Sequence, residues 1–149
     1  MKKILLLTIL ALAFSSCKED EGGSSNKSVT DLLTNGIWKF NSITTEPPTW
    51  VAGPCKGDDL LVFKTGGIAT FDDGTISCGG DQTYNVSWLL SVDEKSITIE
   101  DGGRWTCGFN LEDIWKIVSL TEDMLVVQYN DQCGGGGGGP WKVTLTFKH

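Results

Sequence analysis

Five cysteines are the side chains of this chain best suited to covalent chemistry, and Cys17 differs from the other four in its surroundings. A basic pair at residues 2–3, the apolar run Ile4–Phe14 and a small pair at residues 15–16 precede it, and a polar sequence follows. These are the parts of a secretory signal, and an apolar run of 11 residues is too short to cross a hydrocarbon core of ~30 Å. We therefore predict that residues 1–16 are a cleaved signal peptide.

The sequence around Cys17 resembles the lipobox of bacterial lipoproteins, in which the thiol is diacylglycerylated and the new N-terminus is acylated. The resemblance implies membrane attachment through acyl chains on Cys17, each buried methylene contributing about 0.8 kcal/mol. Phe14 stands where a lipobox usually has Leu, and an ordinary secretory signal with an incidental cysteine is the alternative. The acidic run Glu19–Glu21 resembles the surface-export signal of some lipoproteins. We expect an outer-membrane lipoprotein of a Gram-negative bacterium, on the periplasmic or the cell-surface face.

The other four cysteines, Cys55, Cys78, Cys107 and Cys133, are predicted to form two structural disulfides. Their number is even, and the signal places them outside the cytoplasm, where disulfides persist. A metal site would need clustered spacing and histidine ligands, whereas these cysteines lie 23, 29 and 26 positions apart and His149 is the only histidine. We therefore predict no metal centre.

A hairpin predicted over residues 60–72 favours one disulfide pairing. Two apolar-rich runs meet at a double glycine, and a three-residue loop sets their register. Continuing that register brings Cys55 within one residue of Cys78. Cys107 and Cys133 flank two later runs in a looser register. The predicted bridges are Cys55–Cys78 and Cys107–Cys133, each closing about 25 residues and contributing on the order of 3 kcal/mol in the chain-entropy model.

Carboxylate pairs are the remaining candidates for catalysis, because two carboxylates can hydrolyse a glycosidic bond. The pairs Asp58–Asp59, Asp72–Asp73 and Glu112–Asp113 all fall at turns or strand ends, so we predict solvated turn carboxylates. A calcium site including Asp81 would lack an EF-hand pattern. His149 is expected to fray at the end of the chain, which leaves no base for a nucleophilic triad. We predict no enzyme activity and no cofactor.

Charge and length set the class of partner and the number of domains. After removal of residues 1–16, ten basic residues face nineteen acidic ones, a net charge of about −9 with no basic cluster, which excludes nucleic acid. Lys18–Ser28 contains no apolar residue, so residues 17–28 are predicted to be the lipidated cysteine and a flexible tether. Residues 29–149 are long enough for one domain with a core, and we expect a monomer.

The domain is predicted to be all-β. A helical turn over Val29–Leu33, with Ser28 as N-cap and Gly36 as terminator, precedes the strands. Alternation indicates one dry and one wet face on each strand, most clearly for residues 84–92 and 141–148. Successive antiparallel strands of this kind need a closed barrel or a sandwich to hide their edges, and an eight-stranded up-and-down barrel is the simpler topology. The predicted strands are Ile37–Thr44, Leu60–Thr65, Ile68–Asp72, Gln82–Ser91, Ser96–Glu100, Arg104–Phe109 leading into Ile114–Leu120, Met124–Tyr129 and Trp141–Lys148.

At the first strand, Gly36 and Trp38 match the Gly-x-Trp signature of lipocalins, whose tryptophan closes one end of an eight-stranded barrel. With Cys55, Asp58–Asp59, Leu61-x-Phe63, Gly67, Trp88 and Lys116-Ile117-Val118 in order, the chain from Leu32 to Phe147 resembles the small lipocalin-like domains of bacterial lipoproteins. In many lipocalins, an Arg that follows the last strand packs over this tryptophan. At that place in the sequence this chain has only Lys148 and His149. Thr121–Leu125 matches a second lipocalin motif but lacks its Tyr.

Two functions follow from this resemblance. In the first, the barrel holds a small apolar or amphipathic molecule; in the second, its own side chains fill it and the protein acts through its surface. If the interior is filled, Trp88→Ala should destabilise by roughly 3–5 kcal/mol. Trp50 is a candidate residue of a loop at the barrel mouth, and Gly134–Gly139 is expected to be a floppy loop, with a mobile lid as its alternative. The predicted interior positions are Phe40, Leu61, Phe63, Phe71, Trp88, Leu145 and Phe147.

Overall fold

The computed structural model describes residues 27–46, 48, 57–76, 83–100, 104–105, 109–110, 114–131 and 141–149. Within these ranges the chain forms one short helix followed by strands. The elements are α1 Val29–Thr34, β1 Trp38–Glu46, β2 Leu60–Lys64, β3 Ile68–Asp72, β4 Thr83–Leu90, β5 Ser96–Glu100, β6 Arg104–Trp105, β7 Phe109–Asn110, β8 Ile114–Leu120, β9 Met124–Asp131 and β10 Trp141–Lys148.

Eight of these strands form a closed antiparallel barrel with the order β1-β10-β9-β8-β5-β4-β3-β2, and pairing of β1 with β2 completes the ring. Closure leaves these strands without an exposed sheet edge. The structure therefore confirms the predicted eight-stranded up-and-down barrel. The prediction of one strand leading from Arg104 into β8 was wrong, because among the described residues β6 and β7 pair with each other and not with a barrel strand. Arg104 lies opposite Asn110, so the chain reverses here and does not continue as one strand into β8.

The β2–β3 hairpin has the predicted register, with Leu61 opposite Phe71. Its turn contains Gly66 and Gly67 at φ values of 99° and 82°. Glycine adopts this left-handed region without the steric penalty of a side chain, so the double glycine specifies both the turn and the pairing that follows from it.

Helix α1 begins at the predicted N-cap. The Ser28 hydroxyl accepts a bond of 3.0 Å from the Asp31 backbone N–H, and the Asp31 carboxylate accepts one of 3.1 Å from the Ser28 N–H, which together form a capping box. The helix contacts β2 and β8 and buries Leu32 and Leu33, so it covers one end of the barrel.

The two ends of the barrel differ in their connections. We call the end covered by α1, with the turns at residues 65–67, 91–95 and 121–123, the closed end. At the opposite end, which we call the open end, longer connections join β1 to β2, β3 to β4, β5 to β8 and β9 to β10.

The dry face predicted for β4 does not extend to Val92. The Ser91 hydroxyl accepts bonds from the backbone N–H groups of Lys95 (3.2 Å) and Ser96 (3.0 Å), and this turn reverses the chain directly after Leu90. Val92 is consequently 105% exposed at the tip of the turn. The prediction was wrong at this position because strand alternation ends where the turn begins.

Candidate functional site

The candidate site is the interior of the barrel, onto which alternate residues of each strand project. Almost all of these side chains are apolar, and many are aromatic. Most of them are almost completely buried, which leaves no room for a water molecule beside them. The apolar ones at most 7% exposed are Trp38, Phe40, Leu61, Phe63, Ala69, Phe71, Val86, Trp88, Ile97, Ile99, Trp115, Leu125, Val127, Tyr129, Val143, Leu145 and Phe147.

The seven positions predicted to face inward all lie in this core. Phe40 meets Phe147 with ring centroids 6.2 Å apart, and Phe63 meets Trp88 at 5.2 Å, both edge to face. Edge-to-face pairs add about 0.5–1.5 kcal/mol beyond the area that they bury. Aromatic side chains from different strands therefore meet inside the barrel, as a filled interior requires. The remaining three predicted positions, Leu61, Phe71 and Leu145, are fully buried.

Trp115 of β8 occupies the middle of the interior and is fully buried. Its indole stacks on Tyr129 of β9 and Phe147 of β10, with centroid distances of 6.0 and 6.3 Å and interplanar angles of 16° and 18°. Phe71 of β3 meets it edge-on at 6.0 Å. Because β3 lies three strands away from β8 around the ring, the indole spans the interior between them.

The indole N–H of Trp115 is buried and has no hydrogen-bond acceptor among the described residues. The other two buried tryptophans differ: Trp38 donates to the Leu33 carbonyl at 2.8 Å, and Trp88 donates to the carbonyls of Lys64 and Ile68, both at 3.2 Å. A buried donor without an acceptor costs about 1–3 kcal/mol. The Trp115 N–H is therefore a polar group inside an apolar interior that an acceptor atom would stabilise.

The inward position of Trp115 was missed because both alternation phases of β8 contain large apolar residues, although Lys116 lies in the outward one. Trp115 and Ile117 share one alternation phase, and Ile114 and Val118 share the other. The structure leaves Ile114 60% and Val118 51% exposed, so the phase containing the tryptophan faces inward. An irregularity in the β8–β9 register between Ile117 and Ser119 further weakens the period-two pattern. The bulk of the indole was the available signal.

The signature residues Gly36 and Trp38 lie at the closed end. Trp38 is fully buried, and its bond to the Leu33 carbonyl joins α1 to the first strand. Gly36 has a φ of 132°, and a Cβ there would lie 3.4 Å from Cε1 of His149. The expectation that His149 frays was wrong, because its ring packs against Trp38.

Three buried aspartates mark the open end: Asp59, Asp73 and Asp131 are 1%, 2% and 3% exposed. Asp59 precedes Leu61 by two positions and Asp73 follows Phe71 by two, so both continue the inward phase of their strands. The prediction of solvated turn carboxylates was therefore wrong for Asp59 and Asp73. The inward alternation persists beyond the strand ends and turns one member of both described pairs into the barrel, whereas the third pair, Glu112–Asp113, lies outside the described residues.

Asp58, the outer neighbour of Asp59, ties the start of β2 to the segment after β3. Its Oδ2 accepts bonds from the backbone N–H groups of Thr75 (2.7 Å) and Ile76 (2.9 Å) and from the Thr75 hydroxyl (3.0 Å). The Ile76 N–H, with the Thr75 groups, lowers the pKa of Asp58 against an opposing effect of burial. Gly74 allows this approach: its φ is 66°, and a Cβ there would lie 2.5 Å from Cγ of Asp58.

Several predicted site residues lie outside the described residues: Cys17, Trp50, Asp81, the cysteines Cys55, Cys78, Cys107 and Cys133, and the loop Gly134–Gly139. Their roles stay predictions. In the ranges that the structure does describe, histidine, cysteine, aspartate and glutamate form no group of three suited to a metal ion. No helix in those ranges is long and apolar enough to cross a membrane.

The closed antiparallel barrel, the short helix at one end and the aromatic interior define a lipocalin-like barrel in fold. The chain is similar to odorant-binding protein from bovine nasal mucosa, with 20% identity over 84% of this chain and 75% of that one, at a TM-score of 0.51. The bovine protein in complex with undecanal matches with the same values. Its complex with a selenium-containing odorant matches at 20% identity over 84% and 74% of the two chains, TM-score 0.51. No protein-family model and no curated protein matches this sequence.

Proposed function

We propose that this chain is a lipid-anchored, extracytoplasmic binding protein whose barrel holds a small apolar or amphipathic molecule. After cleavage behind residue 16, acyl chains on Cys17 attach it to the outer membrane of a Gram-negative bacterium, on the periplasmic or the cell-surface face. The signal-like N-terminal sequence and the polar tether support the anchor. The likeness of the barrel to odorant-binding proteins supports binding over catalysis.

The Trp115 N–H is the observation that carries the binding proposal. A ligand with an apolar body and one acceptor oxygen would bury its body among the inward side chains and accept this N–H. The exchange of an unsatisfied donor for a hydrogen bond contributes about 0.5–1.5 kcal/mol to binding. Since the interior side chains leave no room beside them, the indole of Trp115 must turn aside to admit the ligand.

The near-zero exposure of the interior favours a second function. Aromatic side chains that meet across the barrel leave no preformed calyx among the described residues. In this alternative the barrel is a rigid support, and the lipoprotein acts through its outer surface and loops.

Competitive displacement of the fluorophore aminoanthracene, with methyl hexyl ketone and octane as matched competitors, separates these functions. The two competitors have similar apolar bodies, but only the ketone has an acceptor. The binding proposal predicts that both displace the probe, and that Trp115→Phe weakens binding of the ketone about 3- to 10-fold relative to binding of octane. Wild-type protein that binds neither the probe nor the competitors would contradict the proposal and support a filled barrel.

A further inference from the structure

The described chain enters the barrel at its closed end. Nζ of Lys27 lies 3.0 Å from Oε1 of Glu122 in the β8–β9 turn, and Ser28 then caps α1. Cys17 lies ten positions before Lys27, and an extended chain spans at most about 3.6 Å per residue. Acyl chains on Cys17 would therefore keep the closed end within about 36 Å of the bilayer.

Charge is divided unequally between the two ends of the barrel. Among the described residues, the closed half has six lysines and five acidic residues, whereas the open half has Lys142, Arg104 and seven acidic residues, three of which are buried. The open half is therefore net acidic, and an anionic leaflet repels it. The closed half has a net charge close to zero, so an anionic leaflet repels it little. The six lysines are Lys27, Lys39, Lys64, Lys95, Lys116 and Lys148; the seven acidic residues are Glu46, Asp58, Asp59, Asp72, Asp73, Glu100 and Asp131.

Large apolar side chains are exposed at the closed end. Val92 is 105% exposed at the tip of the β4–β5 turn, and Ile68 after the β2–β3 turn and Ile37 before β1 are 40% and 49% exposed. Val92 shares its turn with Asp93, Glu94 and Lys95, and Lys64 flanks the turn before Ile68. Exposed apolar side chains near lysines suit the interface of a bilayer, where the apolar side chain reaches the acyl boundary and an ammonium group within reach binds lipid phosphate.

We infer that the closed end is a lipid-contacting face that rests on the bilayer to which Cys17 anchors the chain, with Val92 in the headgroup region. This inference depends on the proposed lipid anchor. The arrangement directs the acidic open end, where the longer connections lie, away from the membrane. The occupant of the face is a glycerophospholipid leaflet, because the exit point of the tether, the division of charge and the exposed apolar turn all favour it.

Fluorophores placed at the two ends of the full chain test this orientation. Val92→Cys and Ile76→Cys provide matched sites, since Ile76 is also exposed and apolar (57%) but lies beyond β3 at the open end. The full chain is processed in a Gram-negative host, labelled with a thiol-reactive nitrobenzoxadiazole, and reconstituted into vesicles of phosphatidylethanolamine and phosphatidylglycerol. We expect a headgroup-region spin-labelled lipid to quench the label at position 92 about twofold more than that at 76, since interfacial side chains lie about 5–10 Å into the headgroup boundary.

Flotation of the vesicles and the mass of the Cys17 peptide, measured on the same samples, separate the two proposals. Acylated protein that floats with the vesicles but is quenched equally at both positions, or more strongly at 76, overturns the lipid-contacting face and leaves the anchor standing. A Cys17 peptide without acyl chains, in protein that does not float, overturns the anchor and the lipid-contacting face together.

Discussion

The imidazole of His149 packs on the indole of Trp38, with ring centroids 3.9 Å apart and planes inclined by 32°. Its Nδ1 donates a hydrogen bond of 3.0 Å to the Ile37 carbonyl. Trp38 donates in turn to the Leu33 carbonyl, so one stack links the residue after β10 to β1 and to α1. His149 thus lies over the signature tryptophan, where the resemblance to lipocalins implies an arginine.

Removal of the His149 ring should destabilise the closed end of the barrel. We expect His149→Ala to lower the free energy of unfolding by about 1–2 kcal/mol, because it loses an aromatic contact and a hydrogen bond. His149→Phe retains the ring contact and should lose about half as much. Denaturant unfolding measures both, with the exposed neighbour Lys148→Ala as the control. A midpoint for His149→Ala equal to that of Lys148→Ala would show that the stack contributes nothing.

Matched substitutions of Trp115 and Trp88 test whether the indole N–H of Trp115 lacks a hydrogen-bond acceptor. In ligand-free protein, Trp115→Phe removes a donor without an acceptor and should cost less than about 1.5 kcal/mol, whereas Trp88→Phe removes the hydrogen bonds that the indole donates to two carbonyls and should cost more. Trp115→Ala should cost about 3–5 kcal/mol, because it leaves a cavity in the middle of the barrel. Denaturant midpoints provide the comparison. A larger loss for Trp115→Phe than for Trp88→Phe would mean that the Trp115 N–H is satisfied.

Asp58 should make stability depend on pH in the acid range. Its hydrogen bonds lower its pKa below the ordinary value of 3.8, so the folded protein binds this proton less readily than the unfolded chain does. The stabilisation is complete above the unfolded pKa and is lost as the pH falls through the folded pKa. We therefore expect Asp58→Asn to be less stable than wild type at neutral pH, with the difference shrinking below about pH 4.

Thermal unfolding from neutral to acid pH measures this difference, and Asp123→Asn, at an exposed turn position, is the control. A difference between wild type and Asp58→Asn that stays constant down to the lowest pH would contradict the assigned role.

The barrel topology bears on the predicted disulfides, although the cysteines lie outside the described residues. In sequence, each of the four connections at the open end contains one cysteine: Cys55, Cys78, Cys107 or Cys133. Around the ring, the connection of Cys55 is next to those of Cys78 and Cys133, so the topology fits the predicted pairing and also Cys55–Cys133 with Cys78–Cys107. The register of the β2–β3 hairpin favours the predicted pairing. Peptide mapping without reduction should find Cys55–Cys78 and Cys107–Cys133. A peptide joining Cys55 to Cys107, whose connections lie across the ring, would exclude this pairing.

Local chemistry made the fold predictable from the sequence. Ser28 and Asp31 together define a capping box, and the pair Gly66 and Gly67 requires a tight turn, so α1 and the β2–β3 register are each specified within a few residues. Alternation in residues 141–148 identified an inward face because its outward positions are all polar.

The site was less predictable, because it depends on contacts between strands distant in sequence. The inward direction of Trp115 is set by closure of the barrel, which places β3 across from β8. The burial of Asp59 and Asp73 likewise depends on how far the inward phase continues past the strand ends. Aspartate is common in turns, so the residue type predicted exposed carboxylates at both positions. The contact between His149 and Trp38 joins positions more than 100 residues apart.

Native mass spectrometry of the chain isolated from its natural host, before and after organic extraction, tests the binding proposal most directly. The binding proposal predicts a discrete additional mass that extraction removes, from a small molecule with an apolar body and an acceptor oxygen. We also expect a protein mass four hydrogens below the fully reduced value, since two disulfides are expected. A protein mass that extraction leaves unchanged, with no bound molecule, would contradict the binding function and favour a filled barrel that acts through its surface.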